Sequence, residues 1–300
     1  MKNEPLVSII MNCYNGEEYL RDAINSVINQ TYKNWEIIFW DNQSTDKSSE
    51  IFKGYSDKRL KYYLAPSHTK ILYEARNYAT KKINGDFIAF LDVDDWWCSD
   101  KLEKQIPLFD DSEVGLVYGN SWWVFEKKNR KKFLKKSFLP TGMILSELLN
   151  ENVIGSPTYV IRRKSLESLE YFFDDHFHII GDYDLHVRLA AKWKFDCIQA
   201  PVAYVRIHGR NESLLNKSKE IPEMKIWYNK LKKNQVITSE KELNKIHLQI
   251  SYLETKEAIL RNEFRDSLSM VIRYPFCFNK IKLIIALFLP NFVIQKMKDY

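Results

Sequence analysis

The stretch FIAFLDVDD, residues 87–95, constrains the fold of this chain more than any other. Its five apolar residues are typical of a strand buried on both faces, and three carboxylates follow within four positions. Acids are costly inside a buried strand, so we expect them at its C-terminal end, where open α/β sheets bind ligands. In an extended segment Asp92 and Asp94 point the same way and can share one target. That target is a divalent cation carrying phosphates, or else the acids cap the next helix.

Three further strands precede this one, and helices separate them. Apolar runs predict strands at 6–11 and 35–40, and a more amphipathic run predicts a third strand at 59–64, nearer an edge of the sheet. Helical spacing predicts helices from Tyr19 onward and over 69–82. The alternating order is typical of a doubly wound, mostly parallel sheet. The sequence contains no GxGxxG after the first strand and no GxxxxGK[ST], so neither a dinucleotide dehydrogenase nor a P-loop NTPase is supported.

Polar loops follow the first two strands. Asn15 comes after the first, where we expect it to cap the next helix, and DNQSTD at 41–46 comes after the second. Because the carboxyl ends of parallel strands meet at one edge, both loops are expected near Asp94. A metal on Asp94, helped by basic side chains, would hold phosphates there, while Asp95 caps the following helix.

The second half of the chain offers further candidates. Asp182 lies where an apolar segment turns into a helix. It is either an N-cap or a reacting group whose pKa a partly apolar site could raise. Strands are predicted at 195–199 and 202–207, and Arg206 and His208 share one face at the exit of the second.

Two polar stretches have a structural and a binding interpretation. Residues 127–136 contain seven basic side chains, which predicts a solvated hairpin or loop, with contact to an anionic ligand or membrane as the alternative. His176 and His178 stand beside Asp174 and Asp175, where a polar loop is favoured over a metal site.

From Leu214 onward the pattern is helical and basic, with 16 Lys and Arg against 9 Asp and Glu. Because no nucleic-acid reading module is recognisable, membrane headgroups are the better anionic partner and no nucleic acid is expected. We therefore predict a catalytic domain at 1–213 and a helical region at 214–300.

An uncharged segment lies near the end of the chain. Its thirteen residues, 283–295, include Pro290, whereas a spanning helix needs about twenty apolar residues. Residues 275–300 are therefore predicted to lie on a membrane surface, or to pack on the domain or in an oligomer. The flanking lysines are Lys280, Lys282, Lys296 and Lys298.

The cysteines and the N-terminus indicate the compartment. Cys13, Cys98, Cys197 and Cys277 are widely separated and lack zinc spacing, as expected of reduced cytosolic thiols. The first residues run into a strand without an apolar signal region. We expect a cytoplasmic protein, peripheral on the inner face of the cell membrane.

Several segments together resemble the large family 2 glycosyltransferases of the GT-A nucleotide-sugar fold. They are VSII and YN within 7–15, DNQSTD at 41–46, ARN at 75–77, LDVDD at 91–95, DYDL at 182–185 and YVRIH at 204–208. The family's versions of the later five read DDGSTD, ARN, LDADD with its DxD motif, EDYDLWLRLA and YRxH. The resemblance covers about residues 5–213 and implies that 1–115 is the nucleotide-binding half and 116–213 the acceptor and catalytic half. It implies an α/β GT-A fold, a Rossmann-like, mostly parallel sheet flanked by helices, here with a C-terminal helical extension.

The resemblance implies a role for each matching residue. Asp41 would accept a hydrogen bond from the nucleotide base. Asp92 would reach the ribose or a phosphate-bound water, and Asp94 would hold Mn²⁺ or Mg²⁺ on the diphosphate. Asp182 would be the general base, and His208 a further metal or diphosphate ligand.

Other matching positions concern the donor site. Arg76 would support donor binding together with Asn15 and Asn42. The chain departs from the family pattern with Asn12 for Pro, Asn42 for the second Asp of the loop, and Gly181 for the acid before the base. Asn42 loses a charge but keeps hydrogen-bonding ability, so it bears on base selectivity. Gly181 leaves the catalytic carboxylate in place and bears on acceptor choice.

The leading hypothesis is an inverting, metal-dependent hexosyltransferase. It would move a sugar from a nucleotide diphosphate donor, with UDP preferred, to a glycan or lipid-linked acceptor in cell-surface polysaccharide synthesis. One alternative is a nucleotidyltransferase, which needs a glycine-rich, arginine-bearing first loop that residues 12–15 lack. Another is a non-catalytic scaffold that binds a nucleotide or the membrane. The sequence leaves the sugar, the linkage and the oligomeric state open.

Overall fold

A computed structural model describes residues 4–135 and 138–290 of the chain. The chain divides into two compact units between Lys217 and Ser218. The strands are β1 Val7–Cys13, β2 Trp35–Asp41, β3 Leu60–Leu64, β4 Phe87–Phe90, β5 Trp96–Trp97, β6 Val114–Phe125, β7 Arg130–Phe133, β8 Val160–Arg162 and β9 Lys194–Ile207. The α-helices are α1 Leu20–Ile28, α2 Ser48–Lys53, α3 Leu72–Thr80, α4 Lys101–Gln105, α5 Leu145–Asn150, α6 Arg163–Glu167, α7 Gly181–Ala190, α8 Glu212–Leu215, α9 Glu220–Lys233, α10 Glu240–Leu260, α11 Phe264–Arg273 and α12 Phe278–Phe288.

One mixed sheet organises the first unit. Its order is β3-β2-β1-β4-β8-β6-β9-β5, and β7 pairs with β6. The neighbours from β3 to β4 are parallel, β8 is antiparallel to both β4 and β6, and β9 is parallel to β6. The carboxyl ends of β1, β2, β4, β6 and β9 therefore lie at one edge, where such sheets bind ligands. The predicted fold class, a mostly parallel α/β sheet flanked by helices with a helical C-terminal region, is confirmed.

The centre of the sheet is buried on both faces. Every residue of β1, β2 and β4 is buried, as expected for continuous apolar strands covered by helices. Helix α1 contributes Leu20, Ala23, Ile24 and Val27, each fully inaccessible to solvent. The edge position predicted for the third strand is confirmed, since β3 is only partly buried and ends the sheet.

The strands predicted at 195–199 and 202–207 are one continuous strand, β9, so their separation was wrong. Pro201 cannot donate a ladder hydrogen bond, but shifts of register around Asn120 absorb the irregularity. Strand β6, which pairs with β9 along its length, is 12 residues long. Both strands are long, and their carboxyl ends lie at the ligand-binding edge of the sheet.

Asn15 does not cap the first helix, so that prediction was wrong. Helix α1 begins at Leu20, with Tyr19 at its N-cap position. The side-chain oxygen of Asn15 accepts hydrogen bonds from the amide of Thr45 at 2.8 Å and from its hydroxyl at 3.3 Å. Asn15 has a φ of 54°, a left-handed conformation that asparagine tolerates. It therefore ties the loop after β1 to the loop after β2.

The basic run at 127–136 forms a hairpin as far as the structure describes it, and this interpretation is confirmed. Strand β6 passes into a short 3₁₀ turn, Glu126–Lys128, and the chain returns as β7. Asn129 closes the turn with a φ of 40°. Lys136 and Ser137 lie outside the described residues.

The described part of the second unit is helical and leaves many apolar side chains in solvent. On and beside α11 and α12 the exposed ones are Phe264, Leu268, Ile272, Phe276, Phe278, Ile281, Ile284, Ile285 and Phe288. Within residues 4–135 and 138–290, no helix combines the length and the apolar character that crossing a bilayer requires. Residues 291–300, with Lys296 and Lys298 of the predicted flanking set, lie outside the described residues.

Candidate active site

The acids after β4 do not continue the strand. The backbone turns, and the amide of Asp95 donates to the carbonyl of Asp92 at 3.1 Å. The carboxylates of Asp92 and Asp94 therefore take different partners, Arg76 and His208 respectively. The extended backbone from which a common direction was expected is therefore absent, because a turn takes its place, and a shared target for the two acids stays a prediction.

Asp95 holds β9 rather than capping the next helix, so the cap predicted for it was wrong. Its Oδ1 accepts a hydrogen bond from the backbone N–H of Arg206 at 2.8 Å. Burial, together with the neighbouring carboxylates of Asp94 and Asp92, raises the pKa of Asp95 well above its usual value. This acid fixes the exit of β9 against the turn that follows β4.

Arg76 on α3 lies between two carboxylates. Its side chain is 1% exposed, and Nη1 donates to both oxygens of Asp182, at 2.8 and 3.0 Å. Nη2 donates to Oδ1 of Asp92 at 2.8 Å and to Oγ of Ser156 at 3.0 Å. Because a buried cation needs paired charges, this guanidinium fixes the positions of two acids that are far apart in the sequence.

Aromatic rings enclose the guanidinium of Arg76. The ring centroids of Tyr73, Phe90 and Phe173 lie 5.6, 5.2 and 5.7 Å from its Cζ atom. Contacts of this length between a guanidinium and an aromatic ring are attractive. Burial lowers the pKa of Arg76, but the two carboxylates outweigh burial and raise that pKa well above its usual value.

Asp182 lies in the first turn of α7 but does not cap it, so the N-cap interpretation was wrong. The N-cap residue is Ile180. Oδ1 of Asp182 accepts from the hydroxyl of Tyr159 at 2.7 Å, and Oδ2 accepts from the hydroxyl of Tyr73 at 3.2 Å. With the two bonds from Arg76, four donor contacts reach the carboxylate, and the single proton of the Tyr73 hydroxyl is shared with the carbonyl of Ile179 at 3.3 Å.

The two acids beside Arg76 have opposite pKa shifts. Burial raises the pKa of Asp182, but Arg76 and the Tyr159 hydroxyl outweigh it, and the net pKa is lowered. The raised pKa considered from the sequence is therefore wrong for Asp182. Burial also raises the pKa of Asp92, where Asp94 and Asp182 add to burial and exceed the effect of Arg76. Asp182 is accordingly an ionised carboxylate at neutral pH.

Asp94 meets His208 at the exit of β9. Oδ2 of Asp94 lies 3.0 Å from Nε2 of His208, and Nδ2 of Asn211 donates to the same oxygen at 3.3 Å. Adjacent ligand atoms of an octahedral ion with bonds of about 2.1 Å are about 3.0 Å apart, so this pair fits Mn²⁺ or Mg²⁺. The side chain of Asp94 is 25% exposed, which leaves access for phosphate oxygens and water.

Asp41 and Asn42, which are predicted to contact the nucleotide, already form hydrogen bonds within the protein. Asp41 is 1% exposed and accepts from the Tyr62 hydroxyl at 2.6 Å and from the Ser44 amide at 2.8 Å. Oδ1 of Asn42 accepts from the amide and the hydroxyl of Thr69, each at 3.0 Å, and Nδ2 donates to the Thr69 carbonyl at 2.8 Å. Both residues shape the loop, and a nucleotide base would have to share or displace these partners.

The structure thus brings five predicted residues together and places three beside them. Direct contacts join Arg76 to Asp92 and Asp182, and join Asp94 to His208. The two sets are linked because the charge of Asp94 raises the pKa of Asp92. Asn15 and Asn42 lie in the loops after β1 and β2, and Asp41 is the last residue of β2, at the same edge of the sheet.

Several side chains that complete the site were not singled out in the sequence. They are Tyr73, Glu126, Ser156, Tyr159 and Asn211. Two carried a local signal: Tyr73 stands three positions before Arg76 on one helix face, and Asn211 stands three positions after His208. Ser156 and Tyr159 had none, because only the folded sheet brings their segment to the carboxylates.

A second group of potential metal ligands lies in the loop before α7. One ligand atom each from Asp174, Asp175 and His176 fall within 4.8 Å of one another. Nδ1 of His176 is 3.0 Å from Oδ1 of each aspartate, and the histidine side chain is 81% exposed. These contacts are those of a polar loop whose charged groups satisfy one another.

Gly181 gives room to Tyr73. A Cβ at position 181 would lie 2.5 Å from two ring carbons of Tyr73, closer than packed atoms approach. The hydroxyl of the same ring reaches Asp182. The glycine that stands where the resembled family has an acid is therefore explained by the position of this ring.

Matches to known proteins agree with this geometry. Residues 8–169 match the family model described as Glycosyl transferase family 2. The chain is 38% identical over 168 residues to the UDP-Glc:alpha-D-GlcNAc-diphosphoundecaprenol beta-1,3-glucosyltransferase WfgD of Escherichia coli. That match covers 56% of this chain and 64% of WfgD, less than two thirds of its length. The enzyme WfaP of Escherichia coli, described by the same activity, is 30% identical over 224 residues, which cover 72% of this chain and 82% of WfaP.

A solved structure shares the fold. The mannosyltransferase PcManGT from Pyrobaculum calidifontis, in complex with GDP-Man and Mn²⁺, superposes with a TM-score of 0.63. The superposition covers 100% of this chain and 85% of PcManGT at 15% sequence identity. At that identity the likeness is evidence of the fold alone.

Gly181→Ala is expected to destabilise the protein, because the added methyl group must displace the Tyr73 ring. Overpacking of this kind costs about 1–3 kcal/mol in the free energy of unfolding, measured by urea titration. Gly54→Ala is the matched control, since a Cβ there meets only backbone oxygens at 3.4 Å. Equal free energies of unfolding for the two variants would contradict the packing argument.

Proposed function

Because this chain belongs to glycosyl transferase family 2, we propose that it moves a hexose from a nucleotide diphosphate sugar to a lipid-linked saccharide, inverting the anomeric carbon. One observation carries the proposal: Arg76 holds Asp182 and Asp92 at 2.8 Å on either side of itself. Asp182, proposed to take the proton of the acceptor hydroxyl, is thus held in a fixed position relative to Asp92, proposed to contact the donor.

We assign the general base to Asp182. Its lowered pKa keeps it ionised at neutral pH, the state that can take a proton from an acceptor hydroxyl. The hydroxyl must replace one of the four donated bonds, and the longest, from Tyr73 at 3.2 Å, is the one it would replace. Tyr159 and Arg76 would then keep the carboxylate in place during the transfer.

We assign a divalent metal to Asp94 and His208. A mixed carboxylate and imidazole pair departs from the all-oxygen set of Mg²⁺, which favours Mn²⁺. When bound, the ion would stabilise negative charge on the departing diphosphate as a Lewis acid. Asn211 would keep Asp94 oriented, since its Nδ2 also bonds the Arg206 carbonyl at 2.7 Å.

The substrates follow from the relatives' names together with this site. WfgD and WfaP are named for transfer from UDP-Glc to a GlcNAc joined through a diphosphate to undecaprenol. We propose a UDP-sugar as donor and a diphosphate-linked polyprenol saccharide as acceptor in cell-surface polysaccharide synthesis. Donor contacts are assigned to residues 1–115, with Asn15, Asp41 and Asn42 at the nucleotide, and acceptor contacts to 116–213.

We also propose that the second unit contacts the inner face of the cell membrane from the cytoplasm, through residues 275–300. In support, Phe276 and Phe288 are 85% and 72% exposed. Lys282 is exposed on α12, with its Nζ 4.7 Å from the ring centroid of Phe278, as an interfacial anchor would be. Nζ of Lys280, in contrast, donates to the carbonyl oxygens of Ile272 and Tyr274, so this lysine closes the turn between α11 and α12.

Asp182→Asn is expected to lower turnover by at least about a hundredfold while donor binding is kept, because the amide cannot accept the proton. Turnover is measured as UDP release in the presence of acceptor. Asp175→Asn, at an exposed acid of the preceding loop, is the control and should behave like the wild type. Unchanged turnover in Asp182→Asn would remove this residue from the base role.

Asp94→Ala is expected to abolish the gain in UDP affinity that Mn²⁺ provides, because the variant loses the carboxylate ligand. Calorimetry with and without Mn²⁺ measures this gain, and Asp110→Ala at an exposed position is the control. A wild-type protein that binds UDP equally well with and without Mn²⁺ would exclude the metal assignment.

The double variant Phe276→Ser/Phe288→Ser is expected to lose flotation with anionic liposomes, because two exposed aromatic rings no longer enter the bilayer surface. Leu215→Ser/Ile226→Ser removes two exposed apolar side chains elsewhere and should float as the wild type does. Equal flotation of both double variants would disprove the proposed surface.

A further inference from the structure

The hairpin formed by the end of β6, its turn and β7 is strongly basic. We call residues 125–133 the basic hairpin. Its exposed cations are Lys127, Lys128, Arg130 and Lys131. Between residues 127 and 136 the sequence has seven Lys and Arg and no Asp or Glu. The proposed function leaves this motif without a role.

The turn of the basic hairpin lies beside His208. Strands β6 and β9 are parallel and end opposite one another, with Phe125 paired to Ile207. The residues that follow therefore leave the same edge of the sheet. A Cβ placed on Gly209 would lie 3.8 Å from Nζ of Lys127, which puts this ammonium group next to the residue that follows His208.

An acid at the start of the turn attaches the basic hairpin to the site. Oε1 of Glu126 accepts from Nη1 of Arg206 at 3.1 Å, and Oε2 accepts from the Tyr19 hydroxyl at 2.9 Å. Nε of the same arginine donates to the carbonyl of Asp94 at 2.9 Å. The carboxylate of Glu126 is thus paired within the protein, whereas the lysines of the turn face solvent at the rim of the site.

The strand order places the basic hairpin on the opposite side of β4 from β2, whose end carries Asp41 and Asn42, while the turn of the hairpin contacts Tyr19 in the loop after β1. Strands β1 and β2, whose loops carry the proposed nucleotide contacts, lie on one side of β4, whereas β6 and β9 lie on the other. Asp94 follows β4 and stands between them. An anion held by Lys131, on the outer strand β7, would therefore belong to a ligand on the side of β4 opposite β2, where the proposed base contacts lie.

We infer that the basic hairpin binds the diphosphate that joins the acceptor saccharide to its lipid, an inference that rests on the proposed function. In a short acceptor, few sugar rings separate the attacked hydroxyl from this diphosphate, so the diphosphate lies close to the transfer site. Lysine and arginine bind phosphate oxygens through charge-assisted hydrogen bonds, about twice as strong as neutral ones. Lys127 and Lys131 provide such donors. Lys131 pairs with Val124, and Val124 pairs with Arg206. Lys131 therefore lies on the same face of the sheet as Arg206, whose side chain reaches the carbonyl of Asp94.

The double variant Lys127→Gln/Lys131→Gln tests the inference, with Lys58→Gln/Lys164→Gln as a control that removes two exposed cations elsewhere. The probe is N-acetylglucosamine joined through a diphosphate to a phenoxyundecyl chain. Its neutral counterpart is the phenoxyundecyl glycoside of the same sugar. Calorimetry without donor measures affinity independently of turnover.

We expect the hairpin variant to bind the diphosphate probe about tenfold more weakly, a loss that fits one charged hydrogen bond or more. Affinity for the neutral probe should be unchanged, and the control should match the wild type for both. Added salt should weaken binding of the diphosphate probe more in the wild type than in the hairpin variant.

Two results would overturn the inference. One is equal affinity of the wild type and the hairpin variant for the diphosphate probe. The other is loss of binding to phosphatidylglycerol vesicles without loss for the probe, which would assign the hairpin to lipid headgroups. Failure of the proposed function is separate: a wild type that binds the probe but glycosylates it with no nucleotide sugar would contradict that function alone.

Discussion

A single buried cation sets the geometry of the polar edge of the sheet. Arg76 is enclosed by aromatic rings and contacts Asp182 through one nitrogen and Asp92 through the other. In such surroundings an unpaired charge is strongly unfavourable, and removal of one partner leaves the others uncompensated. Helix α3, helix α7 and the turn after β4 are therefore joined by charge pairing, although the chain visits them at widely separated points.

The antiparallel strand β8 brings one more group to that edge. Because β8 runs against β4 and β6, it begins where its neighbours end. Tyr159 directly precedes it, so its hydroxyl meets Asp182 at 2.7 Å. On the far side of β8, the parallel pair β6 and β9 delivers Glu126 and His208 to the same edge. The direction of one short strand thus decides which groups surround the carboxylates.

Much of this arrangement could be predicted from the sequence, and the remainder had physical reasons to escape prediction. Continuous apolar runs ending in acids identified the central strands and the edge where Asp92 and Asp94 lie. The turn after β4 was missed, because spacing does not reveal where a strand stops and hydrogen-bonded turns begin. The same holds for Asp95, whose partner is a backbone amide more than a hundred residues away. Tyr159 escaped because its contact depends on strand direction.

The four donated bonds on Asp182 have a consequence for unwanted chemistry. A water molecule, like a hydroxyl, must displace one of these contacts before the carboxylate can orient and deprotonate it. If Asp182 is the base, a donor bound before its acceptor would therefore be spared hydrolysis. Only a hydroxyl positioned well enough to displace the Tyr73 bond would gain access to the base. The hydrogen-bonded carboxylate would therefore favour transfer to a saccharide over hydrolysis by water.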